Sequence, residues 1–135
     1  MSYDPKMLKD LAPFMGKGQM AVMRHGLNGE EAPFFESKLL ELWLLTATMP
    51  SSYETDGEGR KAVVQLHYFI GGCDWYITEK DRYPEQNQAF GLADLGYGGE
   101  LGYISLPEVT AAGAELDWYW APKALDEINR LKEAA

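Results

Sequence analysis

Apolar and polar positions change period at about residue 62: upstream, apolar residues recur every three to four positions as in helices, and downstream they alternate as in half-buried strands. Residues 62–70 are rich in β-branched and aromatic types and predict a strand, and Gly71-Gly72 supplies a hairpin turn because both glycines accept positive φ without a Cβ clash. Residues 73–80 return as the partner strand. A looped connection containing Pro84 leads to a third strand at about 88–95, and Gly96, Gly98 and Gly99 turn the chain into a fourth at about 101–105. Ser105 and Glu108 have the spacing of a capping box ahead of a short helix, 106–112, which Gly113 closes in the left-handed conformation. Residues 116–120 predict a fifth strand, and Pro122 opens a last helix with Leu125, Ile128 and Leu131 as its buried stripe.

In the first half, Asp4 followed by Pro5 predicts a helix start, with Met7, Leu8, Leu11 and Met15 as its apolar stripe. Gly16, Gly18, Gly26 and Gly29 interrupt the next stretch, so 17–31 reads as a loop with one short strand around 20–24. Phe35, Leu39, Leu42 and Trp43 recur at helical spacing over 32–47, while Leu40, Leu44 and Leu45 fill another face. A helix apolar on most sides must be well covered, either as the central helix of the fold, the preferred reading, or partly at a subunit contact. Residues 49–60, with Pro50, Ser51, Ser52, Asp56, Gly57 and Gly59, read as a mobile linker. The predicted fold class is α+β: a largely antiparallel β-meander sheet of four to five strands with helices packed on one face. It forms a single domain over 1–135, with a helical and loop part over 1–60 and a sheet-containing part over 61–135.

Composition agrees with a folded chain, since 46% hydrophobic and 24% charged residues over 135 positions suffice for one core. No run of about eighteen apolar residues occurs, and the first residues lack the basic-then-apolar layout of a signal peptide, so a cytoplasmic location and no membrane association are expected. The single cysteine, Cys73, cannot form an internal disulfide or a cysteine-rich zinc site and reads as a packed strand residue. Twelve basic against twenty-one acidic residues give a net charge of −9, which opposes direct nucleic-acid binding through phosphates. Between residues 83 and 122 there is no Lys or Arg, whereas Glu85, Asp94, Glu100, Glu108, Glu115 and Asp117 fall there. Solubility explains such a surface; attraction of a basic partner or of cations is the sharper alternative.

The block over 66–120 carries three signature segments: Trp75-Tyr76-Ile77-Thr78-Glu79-Lys80-Asp81, Phe90-Gly91-Leu92-Ala93-Asp94-Leu95-Gly96 and Glu100-Leu101-Gly102-Tyr103-Ile104-Ser105-Leu106. In these segments and in the strand-to-helix joint over 116–125, the chain resembles the bacterial domain of unknown function 2958, from about residue 63 to 128. The resemblance implies a short bacterial protein of a kind often encoded on plasmids and other mobile elements, with a cytosolic accessory role and no assigned chemistry. Residues 13–60 depart from it, being longer and more apolar than the family leads one to expect, so the helix carrying Trp43 reads as an elaboration.

Candidate chemistry is sparse. There is no Gly-x-Ser-x-Gly elbow, and Cys73 with His67 across the hairpin is the one thiol–imidazole pairing the sequence suggests, without an orienting third group. Glu79, Asp81 and Glu100 lie near the ends of adjacent predicted strands and are weak candidates for a hard-cation site; Glu79 and Asp94 read equally as structural acceptors. Gly96-Tyr97-Gly98-Gly99 lacks the Lys-Ser/Thr pair and following helix of a phosphate loop. Within 116–120, strand alternation puts Trp118 and Trp120 with Leu116 on a core face and Tyr119 with Asp117 on the other. The binding candidates are Tyr76 and Tyr119, as rigid contact rings, with Glu100 and Glu108 as acidic contacts.

No catalytic residue and no cofactor is assigned. The leading functional expectation is a non-catalytic protein-interaction module with an acidic docking face and an unidentified protein partner; a homo-oligomer stays open. An acidic DNA mimic that inhibits a DNA-handling enzyme, and a small metal-dependent enzyme, are the alternatives.

Overall fold

In the computed structural model, which describes residues 3–128, helix α1 spans Pro5–Leu11 and starts where Asp4 and Pro5 direct it. The Asp4 carboxylate accepts the Lys6 amide at 2.9 Å, satisfying one of the free donors of the first turn. A 3-10 turn over Ala12–Phe14 leads into α2, Lys17–Leu27, where a loop and short strand were expected. The glycines suggested breaks, but Met20, Met23 and Leu27 fall on one helical face and are all buried, and that burial outweighs the cost of about 1 kcal/mol for each helical glycine. Gly26 also has a packing role: a Cβ there would lie 2.2 Å from the Phe35 ring, so glycine lets α2 approach the next helix. That helix, α3, spans Ala32–Thr48; Leu39, Leu42 and Thr46 are buried, while Leu40 and Leu44 face outward.

The described residues of the sheet-forming half contain seven strands: β1 (Val63–Val64), β2 (Leu66–Ile70), β3 (Cys73–Glu79), β4 (Ala89–Asp94), β5 (Gly99–Ile104), β6 (Glu115–Leu116) and β7 (Lys123–Ala124). Five of them form an antiparallel sheet in the order β5-β4-β3-β2-β6, and β1 pairs with β7 in a separate antiparallel pair. The predicted meander is observed over β2–β5, with β6 pairing beside β2 at the far edge and not beside β5, and the fold is α+β. Between β5 and β6 lies α4, Leu106–Ala111, with the Ser105 hydroxyl accepting the Glu108 amide at 3.3 Å and Gly113 at φ +105° beyond its end.

Two expectations near the C-terminal end are corrected. The fifth strand stops at Leu116, because the Asp117 side chain accepts the Tyr119 amide at 2.9 Å and folds the chain into a turn. Strand alternation is lost there, and the two tryptophans part: Trp118 packs against the helical core and Trp120 against the opposite side of the sheet. Pro122 does not open the last helix either; Lys123–Ala124 pairs with Val63–Val64, and helical backbone begins at Leu125. Leu131 lies outside the described residues.

The helices α1–α4 cover one sheet face, burying Leu66, Tyr68, Ile77, Ala89 and Leu116 with Leu11, Met23, Leu39 and Leu106. On the second face Tyr76 and Leu92 pack with Val64, Leu125 and Ile128. Among the described residues no helix is long and apolar enough to cross a membrane.

Tyr68 is fully buried, and its hydroxyl donates to the Phe14 carbonyl at 2.5 Å, tying β2 to the turn after α1. Burial pushes its pKa well above the ordinary phenol range. The unfolded chain ionises this tyrosine above pH ~10 while the folded chain does not, so its contribution to stability is intact below pH ~10 and is lost as pH rises further. Urea midpoints measured from pH 8 to pH 11 should therefore fall more steeply for the wild type than for Tyr68→Phe; parallel curves would show that the hydroxyl is not protected by the fold.

Candidate functional site

The second sheet face carries the site, and an irregularity of β3 creates it. Pairing between β3 and β4 shifts register between Ile77 and Glu79, and Glu79 comes opposite Phe90. The Glu79 side chain, 5% exposed, then meets the loop that precedes β1. Its Oε1 accepts the Tyr53 amide at 2.9 Å, and its Oε2 accepts the Thr55 amide at 2.8 Å and the Thr55 hydroxyl at 2.6 Å. The segment 49–60, expected as a mobile linker, is thus tethered to the sheet. Tyr53 is held at φ +70°, a conformation uncommon for a residue with a Cβ, by the same contact.

The tether places the Tyr53 ring over the sheet. Its hydroxyl meets that of Tyr103 on β5 at 3.1 Å, and the Tyr103 ring stands edge-on to Phe90 of β4, with centroids 5.6 Å apart and planes at 79°. Between the loop, these rings, Leu101 and Leu125 lies a half-open pocket of about 350 Å³. The Tyr103 hydroxyl is held above the ordinary phenol range, chiefly by its bond to Tyr53, with the negative charge of Glu79 adding to the effect and Arg82 opposing it. Arg82 sits 5.9 Å from the Tyr53 ring centroid and lines the neighbouring depression instead of this pocket.

Elsewhere on the same face, His67 lies between two carboxylates: Nε2 is 2.7 Å from Asp74 and Nδ1 is 3.1 Å from Asp117. Its ring stacks on Tyr76 at 5.0 Å and lies 4.9 Å from Trp120. Carboxylates accept at both ends, so a doubly protonated imidazole would donate to both, and the cluster fastens β2, β3 and the turn after β6 together. The Cys73–His67 pairing does not form. His67 pairs with Tyr76 and Cys73 with Ile70, and strand alternation directs the two side chains to opposite faces of the sheet.

The weak metal candidates do not converge. Glu79 is committed to the loop, the buried Asp81 accepts the Tyr83 and Gln88 amides at 3.2 and 3.1 Å, and Glu100 is exposed on β5. Among the described residues no group of three or more His, Cys, Asp or Glu is arranged to hold a metal ion. Of the binding candidates, Tyr76 is 5% exposed beneath His67 and Trp120, so burial removes it from any contact surface. Tyr119 is 75% exposed, with the Lys38 ammonium 4.8 Å from its ring centroid. Glu100 and Glu108 are exposed. The acidic residues do not share one ridge, because Glu100 and Glu115 stand on opposite edge strands and Asp117 is engaged with His67.

No match is found among curated proteins, and none among solved structures. A family model described as a protein of unknown function (DUF2958) matches residues 43–118, more than half of the chain. The match begins at Trp43 and not near Val63, so the end of α3 and the Glu79-tethered loop lie within it, while the residues after Trp118 lie beyond it. On that match the chain belongs to the family of proteins of unknown function DUF2958.

Proposed function

We propose that the protein is a non-catalytic interaction module that docks an extended, positively charged segment of a partner protein along β5. The observation that carries this reading is the rim of β5, a six-residue edge strand that among the described residues pairs with β4 alone. Edge strands that avoid partners are usually blunted by lysine, proline or a bulge. β5 has none of the three, and its outward residues include Leu101 and Tyr103, 47% and 57% exposed. Backbone groups along such a rim supply affinity to an added strand, and alternate side chains supply selectivity. Charge favours a basic occupant: Glu100 lies on the strand, and it falls in the stretch 83–122 that has no Lys or Arg.

The test is a pull-down with the tagged full chain from lysate at low and moderate salt, repeated with the double variant Glu100→Lys/Tyr97→Lys. Both positions are exposed and outside the pocket, so the variant should keep the fold while repelling a basic strand. Retention of a basic partner should fall by roughly fivefold or more, as expected for two unfavourable exposed charges. Undiminished retention would count against docking at β5.

A further inference from the structure

The pocket above Glu79 has the chemistry of a cation site. Phe90 and Tyr103 form two walls at 79°, and Tyr53 closes a third side through its hydroxyl contact with Tyr103 at 3.1 Å. Aromatic faces carry the negative part of the ring quadrupole and attract organic cations, most strongly where water is excluded. The charged residues of the lining are Glu79 and Asp56, both acidic, and no Lys or Arg is among the described lining residues. Glu79 is almost wholly buried, accepts three bonds from neutral donors, and has no ion-pair partner among the described residues. Arg60 and Lys61, on the same loop, are exposed and do not line the pocket.

We infer that this pocket binds an organic cation of the alkylammonium class, its charge set against the rings of Tyr53, Phe90 and Tyr103 and complemented by Glu79. A bare metal ion suits the site poorly, since the Glu79 oxygens already accept bonds and metal coordination requires several convergent oxygens. An alkylammonium needs no such ligands, and the volume of about 350 Å³ falls in the range of small-ligand sites. The pocket shares Leu101 and Tyr103 with β5, but Glu79, Phe90 and the loop residues that complete it lie off that strand, so cation binding can be tested apart from docking at the rim.

The experiment is an amide NMR titration of the full chain with choline, with its neutral carbon isostere 3,3-dimethylbutan-1-ol, and with sodium chloride at matched concentration. Saturable shifts at the Tyr53, Thr55 and Tyr103 amides are expected for choline, with the isostere binding at least about tenfold more weakly. Tyr103→Leu, which keeps an apolar side chain at an exposed position, should weaken choline by roughly five- to tenfold while other sheet resonances stay in place. A peptide bearing trimethyllysine that displaces choline assigns the natural source to a protein side chain; one that does not assigns it to a free small cation. Glu100→Lys/Tyr97→Lys should leave choline binding unchanged, which separates this site from the β5 rim. Equal binding of the isostere, the same shifts with sodium chloride, or no saturable shift at these amides would overturn the inference.

Discussion

Replacing Gly91 with alanine is expected to cost more than about 4 kcal/mol, most of the stability of a domain at the lower end of the usual range of about 5–15 kcal/mol. Gly91 sits inside β4 between β3 and β5, where a Cβ would lie 1.9 Å from the Tyr76 carbonyl oxygen and 2.9 Å from the Ile77 Cα. Both are backbone atoms, so no side-chain rotation relieves the overlap. β3 would have to move away from β4 where the register already shifts, and that shift is what brings Glu79 to the loop. Gly102, paired with Gly91 from β5, is the control: a Cβ there meets nothing within 4 Å, and Gly102→Ala should change stability by less than about 1 kcal/mol. Far-UV circular dichroism and urea unfolding of the two variants check the contrast. A Gly91→Ala protein as stable as Gly102→Ala would mean that the strands can separate at this point without loss of the fold.

How far the sequence reveals this architecture depends on how far apart the deciding contacts lie. The meander is legible because its turns are local: Gly71, Gly96 and Gly98 take φ of +54°, +100° and +98°, where side chains are disfavoured. The Asp4 and Ser105 caps are local too, each reaching an amide two or three residues on. Helix α2 is hidden because Gly18 and Gly26 look like breaks until Phe35 is seen to occupy the space that Gly26 leaves. The last helix is misplaced for a related reason, since Lys123–Ala124 is held by Val63–Val64, whose claim on it no periodicity announces. The pocket is not legible at all. Glu79 is recognisable as an acid at a strand end and as a candidate acceptor, but its donors are loop amides at Tyr53 and Thr55, and main-chain donors leave no mark on composition.

Glu79→Ala should destabilise the protein by about 3 kcal/mol, the order expected when a buried carboxylate with several hydrogen bonds is removed and its amide donors are left unpaired. The loss should be largest in the loop before β1. The Tyr53 and Thr55 amides would lose their acceptors, and the left-handed backbone of Tyr53 at φ +70° would be held only by its local turn, where its carbonyl accepts the Asp56 amide at 3.1 Å, and by its ring contacts. Hydrogen exchange at these two amides should therefore accelerate more than exchange in β3 and β4, while circular dichroism retains the sheet. Two companions divide the effect. Thr55→Val removes the hydroxyl bond of 2.6 Å and keeps the shape and the amide bond, for a cost of about 1 kcal/mol. Glu79→Gln keeps the volume but turns an amide NH₂ toward donors, so it should fall between Thr55→Val and Glu79→Ala. If Glu79→Ala instead leaves exchange at Tyr53 and Thr55 unchanged, the loop is held by its own turns. The rings would then stand over the sheet without the carboxylate, and the cation pocket would owe its shape to the backbone of residues 51–57 and its charge alone to Glu79.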